Sequence, residues 1–393
     1  MVNINIMSPV DIRELQSTIR KAITNKQKIL LKENLELQSL PIDAKTVILD
    51  LSSFDKIIEL DKENFTVTVE GGINFLEFQI MLAQKGFFFP LDTYASAKTS
   101  LSYNVLHGLP SYTLGEYGNY REYVLGLEAV LFNGDHIKIG GKNIKNVSGL
   151  DIIGLLIGSK ETLGIITKLT LRLLPFPEEK RVLLFNFKEL KTALHVTNQL
   201  INKGINPAKL HILNASGNSI IKNINLSKSP VVIAEIDGFK ASLPRQLDVF
   251  KEIISGHISN FSLEITDNNE ITNFWNNFRE AQYQALINVQ NTVSFSCIIS
   301  EIPEMVAEIE KELVKFEQEF IIQVNGIVGT GMVIPLKKVD NEWISQVAKL
   351  IEKYDGKVLG KKSFVNQGLN TIHKKLIDAF DPARISFLGG EEF

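Results

Sequence analysis

The sequence predicts an α+β chain in two parts: an α/β first part and an antiparallel, ferredoxin-like second part. Three observations carry this. The chain opens with an amphipathic helix and a run of short, alternating strand-like segments. A proline-punctuated stretch, Pro175-Phe176-Pro177-Glu178-Glu179-Lys180, then breaks the pattern as a linker does. Beyond it, a strand–helix–strand–strand–helix order occurs twice. The expected boundaries are 1–177, 178–362 and a C-terminal helix, 363–393, returning to the first part.

Ser8-Pro9, followed by Asp11, predicts a helix start, and Ile12, Leu15, Ile19 and Ala22/Ile23 follow at helical spacing. Lys28–Leu31, Thr46–Leu51 and Thr66–Glu70 are strand-like, and Gly71-Gly72 stops the last of them. Asn74 caps a helix through Lys85, with Leu76, Ile80 and Ala83 as its stripe. Residues Phe87–Gly118 are rich in Ser, Thr, Tyr, Gly and Pro and lack a period. An aperiodic stretch of about 30 residues predicts a functional, ligand-covering loop. Val124–Leu131 and His136–Ile139 flank Asn133-Gly134, a hairpin turn. Gly164–Leu174 alternates again. In the second part the strands are Val182–Phe187, Lys209–Leu213, Val231–Asp237, Thr292–Ile299, Ile321–Val328, Gly331–Pro335 and Lys357–Leu359. Its helices are Leu190–Asn202, Leu243–Ile254, Glu304–Phe316 and Trp343–Tyr354. Leu369–Phe380 is a further helix, ended by Asp381-Pro382.

Composition excludes several classes. With 393 residues, the chain has length for two to three domains. It is 44% hydrophobic and 22% charged, which excludes a disordered or fibrous protein. A net charge of −3 argues against a broad nucleic-acid footprint. No apolar run approaches the roughly 18 residues that span a bilayer. The N-terminus lacks a basic region followed by an apolar stretch, so a cytoplasmic protein is expected. Cys297, in an apolar strand pattern, is expected to be a small buried hydrophobe. One cysteine cannot hold an iron–sulfur cluster, so any cluster must sit on a partner.

Common catalytic sets are missing. There is no G-x-G-x-x-G after a strand, no P-loop and no G-x-S-x-G elbow. The histidines, His107, His136, His195, His211, His257 and His373, are scattered, so no metal site is expected. The informative segments come in an ordered set. Val47-Ile48-Leu49-Asp50-Leu51-Ser52 is followed by Ile57–Asp61 and Thr66–Gly72. Tyr120-Arg121-Glu122-Tyr123-Val124-Leu125-Gly126-Leu127-Glu128, Asn133-Gly134-Asp135 and Lys145–Asp151 follow. Gly158-Ser159-Lys160-Glu161-Thr162-Leu163-Gly164-Ile165-Ile166-Thr167 closes it.

Over residues 10–180 this set resembles the FAD-binding, PCMH-type domain of the vanillyl-alcohol oxidase/p-cresol methylhydroxylase family. Within it, the sequence resembles the FAD subunits of glycolate oxidase complexes (GlcE-like), relatives of D-lactate dehydrogenases. Phe274–Glu280 and Leu376–Pro382 extend the likeness. The resemblance implies an FAD-binding part and a cap part. It implies FAD contacts from Pro90, Leu91, Asp92, Thr99, Ser100, Ser102, Tyr103, His107, Gly108 and Gly118. It also implies contacts from Asn146, Gly149, Gly158, Ser159, Glu161, Gly164, Ile165 and Ile166. Chemistry agrees at the glycines: a dinucleotide needs backbone N–H donors and close main-chain approach, and Gly149, Gly158 and Gly164 leave room for it. His107 is a candidate for touching or joining the flavin, Arg279 for binding a substrate carboxylate, and Tyr112, Tyr117, Tyr120 and Tyr123 for shielding a ring. The ordinary alternatives are loop packing, an ion-paired helix residue and core aromatics.

The sequence departs from the family at two places. The phosphate loop expected after the first strand is Lys32-Glu33-Asn34-Leu35-Glu36-Leu37-Gln38-Ser39, with no glycine and with carboxylates Glu33 and Glu36 that repel a pyrophosphate. The stretch matching the relatives' catalytic metal and base residues, Asn325–Met332, has neither histidine nor carboxylate. The expected function is an FAD-binding subunit of a 2-hydroxy-acid (glycolate- or D-lactate-type) dehydrogenase complex. It relays electrons with a catalytic flavin subunit to an iron–sulfur subunit, at the inner membrane face only through partners. The alternatives are a flavin-free structural or assembly subunit of the same fold, and a stand-alone oxidase whose base is not evident.

Overall fold

The structure, a computed structural model, describes residues 5–33, 40, 42–143, 149–221, 228–287, 291–337, 342–359 and 367–388. It divides into two compact units. One contains Met1–Pro110, Asn119–Phe176 and Lys362–Phe393, the other Ser111–Gly118 and Pro177–Lys361.

In the first unit, Asn5–Met7, Thr46–Leu49 and Lys28–Leu31 form a parallel sheet, with Thr46–Leu49 in the middle. The helix Ile12–Asn25 precedes Lys28–Leu31 in the chain. It begins later than Ser8-Pro9 suggests. Asp11 is the N-cap, its carboxylate accepting from Glu14 N–H at 2.8 Å, while Glu14 reaches back to Val10 N–H. A shared acidic pair thus satisfies the first-turn donors that the Ser8 hydroxyl was expected to take. A second, antiparallel sheet has the order Ile57–Asp61, Thr66–Glu70, Gly164–Arg172, Val124–Leu131, His136–Gly140. Its alternation packs Val67, Val69, Leu127, Leu169 and Leu171 into one core with Phe75, Phe78 and Phe89.

The stretch Phe87–Gly118, expected to be an ordered loop, contains regular elements that its lack of period did not reveal. It holds a short strand, Phe87–Phe88, and the helices Leu101–His107 and Leu114–Tyr117. Leu101–Leu106 are all buried, so no polar face marks the first helix as amphipathic. Its signals are local: Ser100 Oγ accepts from Tyr103 N–H, and Gly108 ends it at φ +56°.

The second unit is built on one eight-stranded sheet. Its order is Ile258–Ile265, Glu179–Phe187, Val231–Gly238, Lys209–Leu213, Phe320–Asn325, Thr330–Pro335, Val293–Ser296, Lys357–Leu359. Each half is a strand–helix–strand–strand–helix–strand unit, and the halves join where Lys209–Leu213 pairs with Phe320–Asn325. The sequence pattern missed the strand Ile258–Ile265 and the 20-residue helix Asn268–Ile287 that follows it. The helices Leu190–Asn202, Leu243–Ser255, Ile302–Leu313 and Glu342–Lys353 share a core with one sheet face, through Leu194, Phe250, Met305 and Trp343. Cys297 is half-buried rather than enclosed; burial raises its thiol pKa, and its Sγ–H donates to Tyr354 O at 3.3 Å. Among the described residues, no helix is long and apolar enough to cross a membrane.

Phe250 is fully buried in this core. Phe250→Ala is expected to cost about 3–5 kcal/mol in urea unfolding, since both transfer energy and packing are lost.

Candidate functional site

In the first unit two of the sequence-predicted residues, Glu161 and His107, are paired, and Glu161 is the centre of a buried network. Lys160 and Glu161 both have positive φ, +50° and +60°, which costs a non-glycine residue backbone energy. The geometry buries the Glu161 side chain, and the residue is only 1% exposed. Its Oε2 accepts from Leu31 N–H at 3.0 Å, at the end of a parallel strand. Its Oε1 meets His107 Nε2 at 2.6 Å. Its carbonyl accepts from Ser386 Oγ at 2.8 Å, on the C-terminal segment. That segment is fastened in turn: Asp381 accepts from Ile385 and Ser386 N–H, and Ile29 N–H donates to Ile385 O. Sequence reasoning missed Ser386 and Asp381, because their partners are remote in the chain.

The His107 ring stacks on Tyr103 with centroids 3.9 Å apart. His107 is therefore a paired, mostly enclosed side chain. Just beyond it, Gly108 and Gly158 come into backbone contact: a Cβ on Gly108 would lie 3.2 Å from Gly158 Cα. Gly158, at φ +78°, is exposed with open space where its own side chain would stand, and Gly149, at φ +91°, is open in the same way. Ser159 Oγ is buried and, among the described residues, without a hydrogen-bond partner. Glu33 adds a second carboxylate nearby, its Oε2 accepting from Ser100 N–H at 2.5 Å. Burial raises the Glu33 pKa, and the charges of Glu161 and Asp50 push the same way against the Ser100 hydrogen bonds.

Other predicted positions are committed to the fold. Ser102 Oγ donates to Ile166 O, Thr99 Oγ1 to Ala95 O, and Leu91 O accepts from Gln79 Nε2. Ile165 and Ile166 are core residues. Gly164 is small for its own sheet: a Cβ there would lie 2.7 Å from Val130 O. Asn104, which sequence reasoning did not select, ties Thr93, Thr99 and Ser100 together. Pro90 and Asp92 lie in the stretch following Phe87–Phe88. Asn146 falls outside the described residues. Tyr120 and Tyr123 belong to the first unit's core. Gly118 belongs to the second unit.

In the second unit, strand alternation sends Lys209, His211, Glu235, Asp237 and Gln323 to the sheet face opposite the apolar core. Lys209 stands opposite Glu235 in register, 3.8 Å away, and 4.4 Å over the Trp275 ring. Glu235 accepts from Trp275 Nε1 at 2.5 Å, and Asp237 from Tyr117 OH at 2.8 Å. His211 Nδ1 meets Gln323, Gln323 meets Gln282, and Gln282 accepts from Tyr112 OH. Tyr112 and Tyr117 thus hold this face together. Arg279 is buried and hydrogen-bonded to Asn276 on its own helix. Burial, reinforced by Glu235, raises the Asp237 pKa. Among the described residues no cluster of His, Cys, Asp and Glu could hold a metal.

Residues 5–140 match the family described as FAD binding domain, and residues 176–360 the family described as FAD linked oxidases, C-terminal domain. Glycolate oxidase subunit GlcD of Bacillus subtilis (strain 168) is 32% identical over 212 residues, covering 53% of this chain and 45% of that protein. The probable mitochondrial D-lactate dehydrogenase of Danio rerio is 27% identical over 320 residues, covering 78% of this chain and 64% of that protein. The chain therefore spans about half to two thirds of the length of these relatives. Its fold is similar to that of p-cresol methylhydroxylase with substrate bound, with TM-score 0.72 and 16% identity over 99% of this chain and 90% of that one. It is also similar to alkyldihydroxyacetonephosphate synthase, with TM-score 0.75 and 14% identity over 97% and 75%. FAD is the cofactor of the matched family. The open backbone at Gly149 and Gly158 and the orphan hydroxyl of Ser159 fit such a group. The carboxylates of Glu33 and Glu161 hold N–H donors suited to an anion.

Glu161→Ala is expected to lower unfolding free energy by about 3 kcal/mol, because it strands a buried N–H and the His107 ring. Glu161→Gln should cost less, since its amide oxygen still accepts from Leu31; equilibrium urea unfolding distinguishes the two. Asp237 carries the opposite signature. A raised folded pKa means that stability falls as pH climbs from the ordinary carboxylate range into the raised one. Asp237→Asn is therefore expected to melt above the parent at neutral pH, with the gain vanishing in acid.

Proposed function

We propose that this chain, whose two parts match an FAD binding domain and the C-terminal domain of FAD linked oxidases, is an FAD-binding oxidoreductase subunit of a 2-hydroxy-acid dehydrogenase complex, of glycolate or D-lactate type. The observation that carries this reading is the Gly108–Gly158 backbone contact, exposed on one side and braced from behind by the Glu161–His107 pair. It offers main chain without side chains, beside a hydroxyl with no partner of its own. Bound there, FAD supplies two-electron acceptance and one-electron release. Gly158 and Gly149 admit close approach, Ser159 donates a hydrogen bond, and Glu161 keeps the Gly158–Thr162 turn in its strained conformation.

Two further features support a subunit that works with others. The turn between Phe320–Asn325 and Thr330–Pro335 carries Gly326, Ile327, Val328 and Gly329, with no titratable group to take a hydroxyl proton. The single cysteine leaves an iron–sulfur cluster to a partner chain. A catalytic flavin subunit and an iron–sulfur subunit are the partners this reading requires, and the small 2-hydroxy acid is substrate at the level of the complex. Such a complex would work in the cytoplasm or against the inner face of a membrane. A second reading, a flavin-free assembly subunit, is favoured by the carboxylates seated on the Leu31 and Ser100 N–H groups.

An absorbance spectrum of the purified chain, before and after acid precipitation, separates the readings. Flavin bands that pass into the supernatant are expected, meaning noncovalent FAD. Bands retained in the pellet would mean a covalent link and point to His107. A colourless protein that stays colourless after incubation with FAD would support the assembly subunit. Gly158→Val is expected to weaken FAD binding by about tenfold or more, since a branched side chain enters the open space and opposes positive φ. Its far-ultraviolet circular dichroism should match the parent.

A further inference from the structure

In the first unit the main-chain N–H groups of Leu31 and Ser100 are held by carboxylates from distant parts of the chain. Glu161 holds Leu31 N–H at 3.0 Å and Glu33 holds Ser100 N–H at 2.5 Å. Donors that seat a carboxylate oxygen seat a phosphate oxygen equally well. The two carboxylates differ in how firmly they are fixed. Glu161 is paired with His107 at 2.6 Å, and its own backbone is bonded to Ser386. Glu33 lies two residues past the end of Lys28–Leu31, where the chain leaves the parallel sheet. Among the described residues, Glu161 and Asp50 act on it repulsively. Lys32 pairs with Asp50 at 2.7 Å, and the His107 ring is hydrogen-bonded to Glu161. Glu33 thus holds its donor in a half-buried place with two other carboxyl groups close by.

We propose that Glu33 is an internal competitor of the cofactor: its carboxylate occupies an N–H donor that the pyrophosphate of FAD takes, so FAD binds by displacing it. The inference rests on the FAD-binding reading above. It makes occupancy adjustable. Removing the charge strengthens binding, and so does protonation, since burial has already raised the pKa of Glu33. As pH falls, the carboxyl becomes neutral and the repulsion it exerts on the pyrophosphate is lost. The device is confined to the phosphates, so a flavin without phosphate is indifferent to it.

The test is titration of the purified, flavin-stripped full-length chain, followed by flavin fluorescence, with FAD and with riboflavin as probes. The parent, Glu33→Gln and Glu33→Ala are compared, with melting temperatures recorded to confirm folding. At about pH 8 both variants are expected to bind FAD about tenfold more tightly than the parent, the size of one coupled ionisation. The difference should narrow as pH falls into the raised range of the Glu33 carboxyl, and riboflavin affinity should be the same in all three. Glu33→Gln keeps an oxygen for Ser100, so it stands if Glu33→Ala does not fold. Equal or weaker FAD binding by the variants, in a parent that binds FAD, would overturn this inference and leave the FAD reading intact. A gain shared by riboflavin would overturn it too. No FAD binding by any of the three would overturn both.

Discussion

The carboxylate of Glu161 is the constraint on which the first unit depends. One buried side chain terminates the strand Lys28–Leu31, fixes the His107 ring and anchors the turn that presents Gly158. Its backbone, at positive φ, is held by Ser386 on the C-terminal segment. An unpaired carboxylate in such a place would be costly, and the Leu31 N–H and His107 offset that cost. Because the partners are drawn from three distant stretches, the turn forms only when the whole unit is folded. A strained backbone at a ligand-facing turn is stable when its surroundings over-determine it, as here.

The second unit solves a different problem. Its eight strands bury one face against helices, through Phe185, Phe250, Phe295 and Trp343. The opposite face carries charged and amide side chains, and these are enclosed by residues of Asn268–Ile287 and of Ser111–Gly118. Lys209 between Glu235 and the Trp275 ring, and Tyr117 on Asp237, make the burial tolerable. The aromatic residues proposed as flavin shields are thus the hydrogen-bonding partners of this polar layer, or, for Tyr120 and Tyr123, core packing beside Phe89.

What could be seen in the sequence follows from period and punctuation. Thr66–Glu70, which alternates strictly, has the predicted limits because one face is core and the other only partly covered; Lys209–Leu213 has them too, its polar residues alternating with apolar ones although both faces are buried. The helix Leu190–Asn202 and the Asn74 cap are equally plain, since each is set by residues a few positions apart. Leu101–His107 escaped notice for the converse reason: buried on all sides, it has no polar stripe. Asn268–Ile287 escaped because its buried residues include Arg279 and Gln282 beside Phe274, Trp275 and Phe278, which blurs the contrast that period detection needs.

The sequence by itself determined the two-part α+β organisation, the duplicated order of the second part and the glycines at which main chain is laid bare. These depend on local periodicity, turn chemistry and the absence of a side chain, all of which are written in neighbouring residues. Only the tertiary structure decided that Glu161 pairs with His107 and Leu31, that Glu33 sits on Ser100, and that Gly164 serves its own sheet rather than a ligand. Those outcomes rest on contacts between residues tens to hundreds of positions apart. No local pattern encodes such contacts, because they exist only once the intervening chain has been packed.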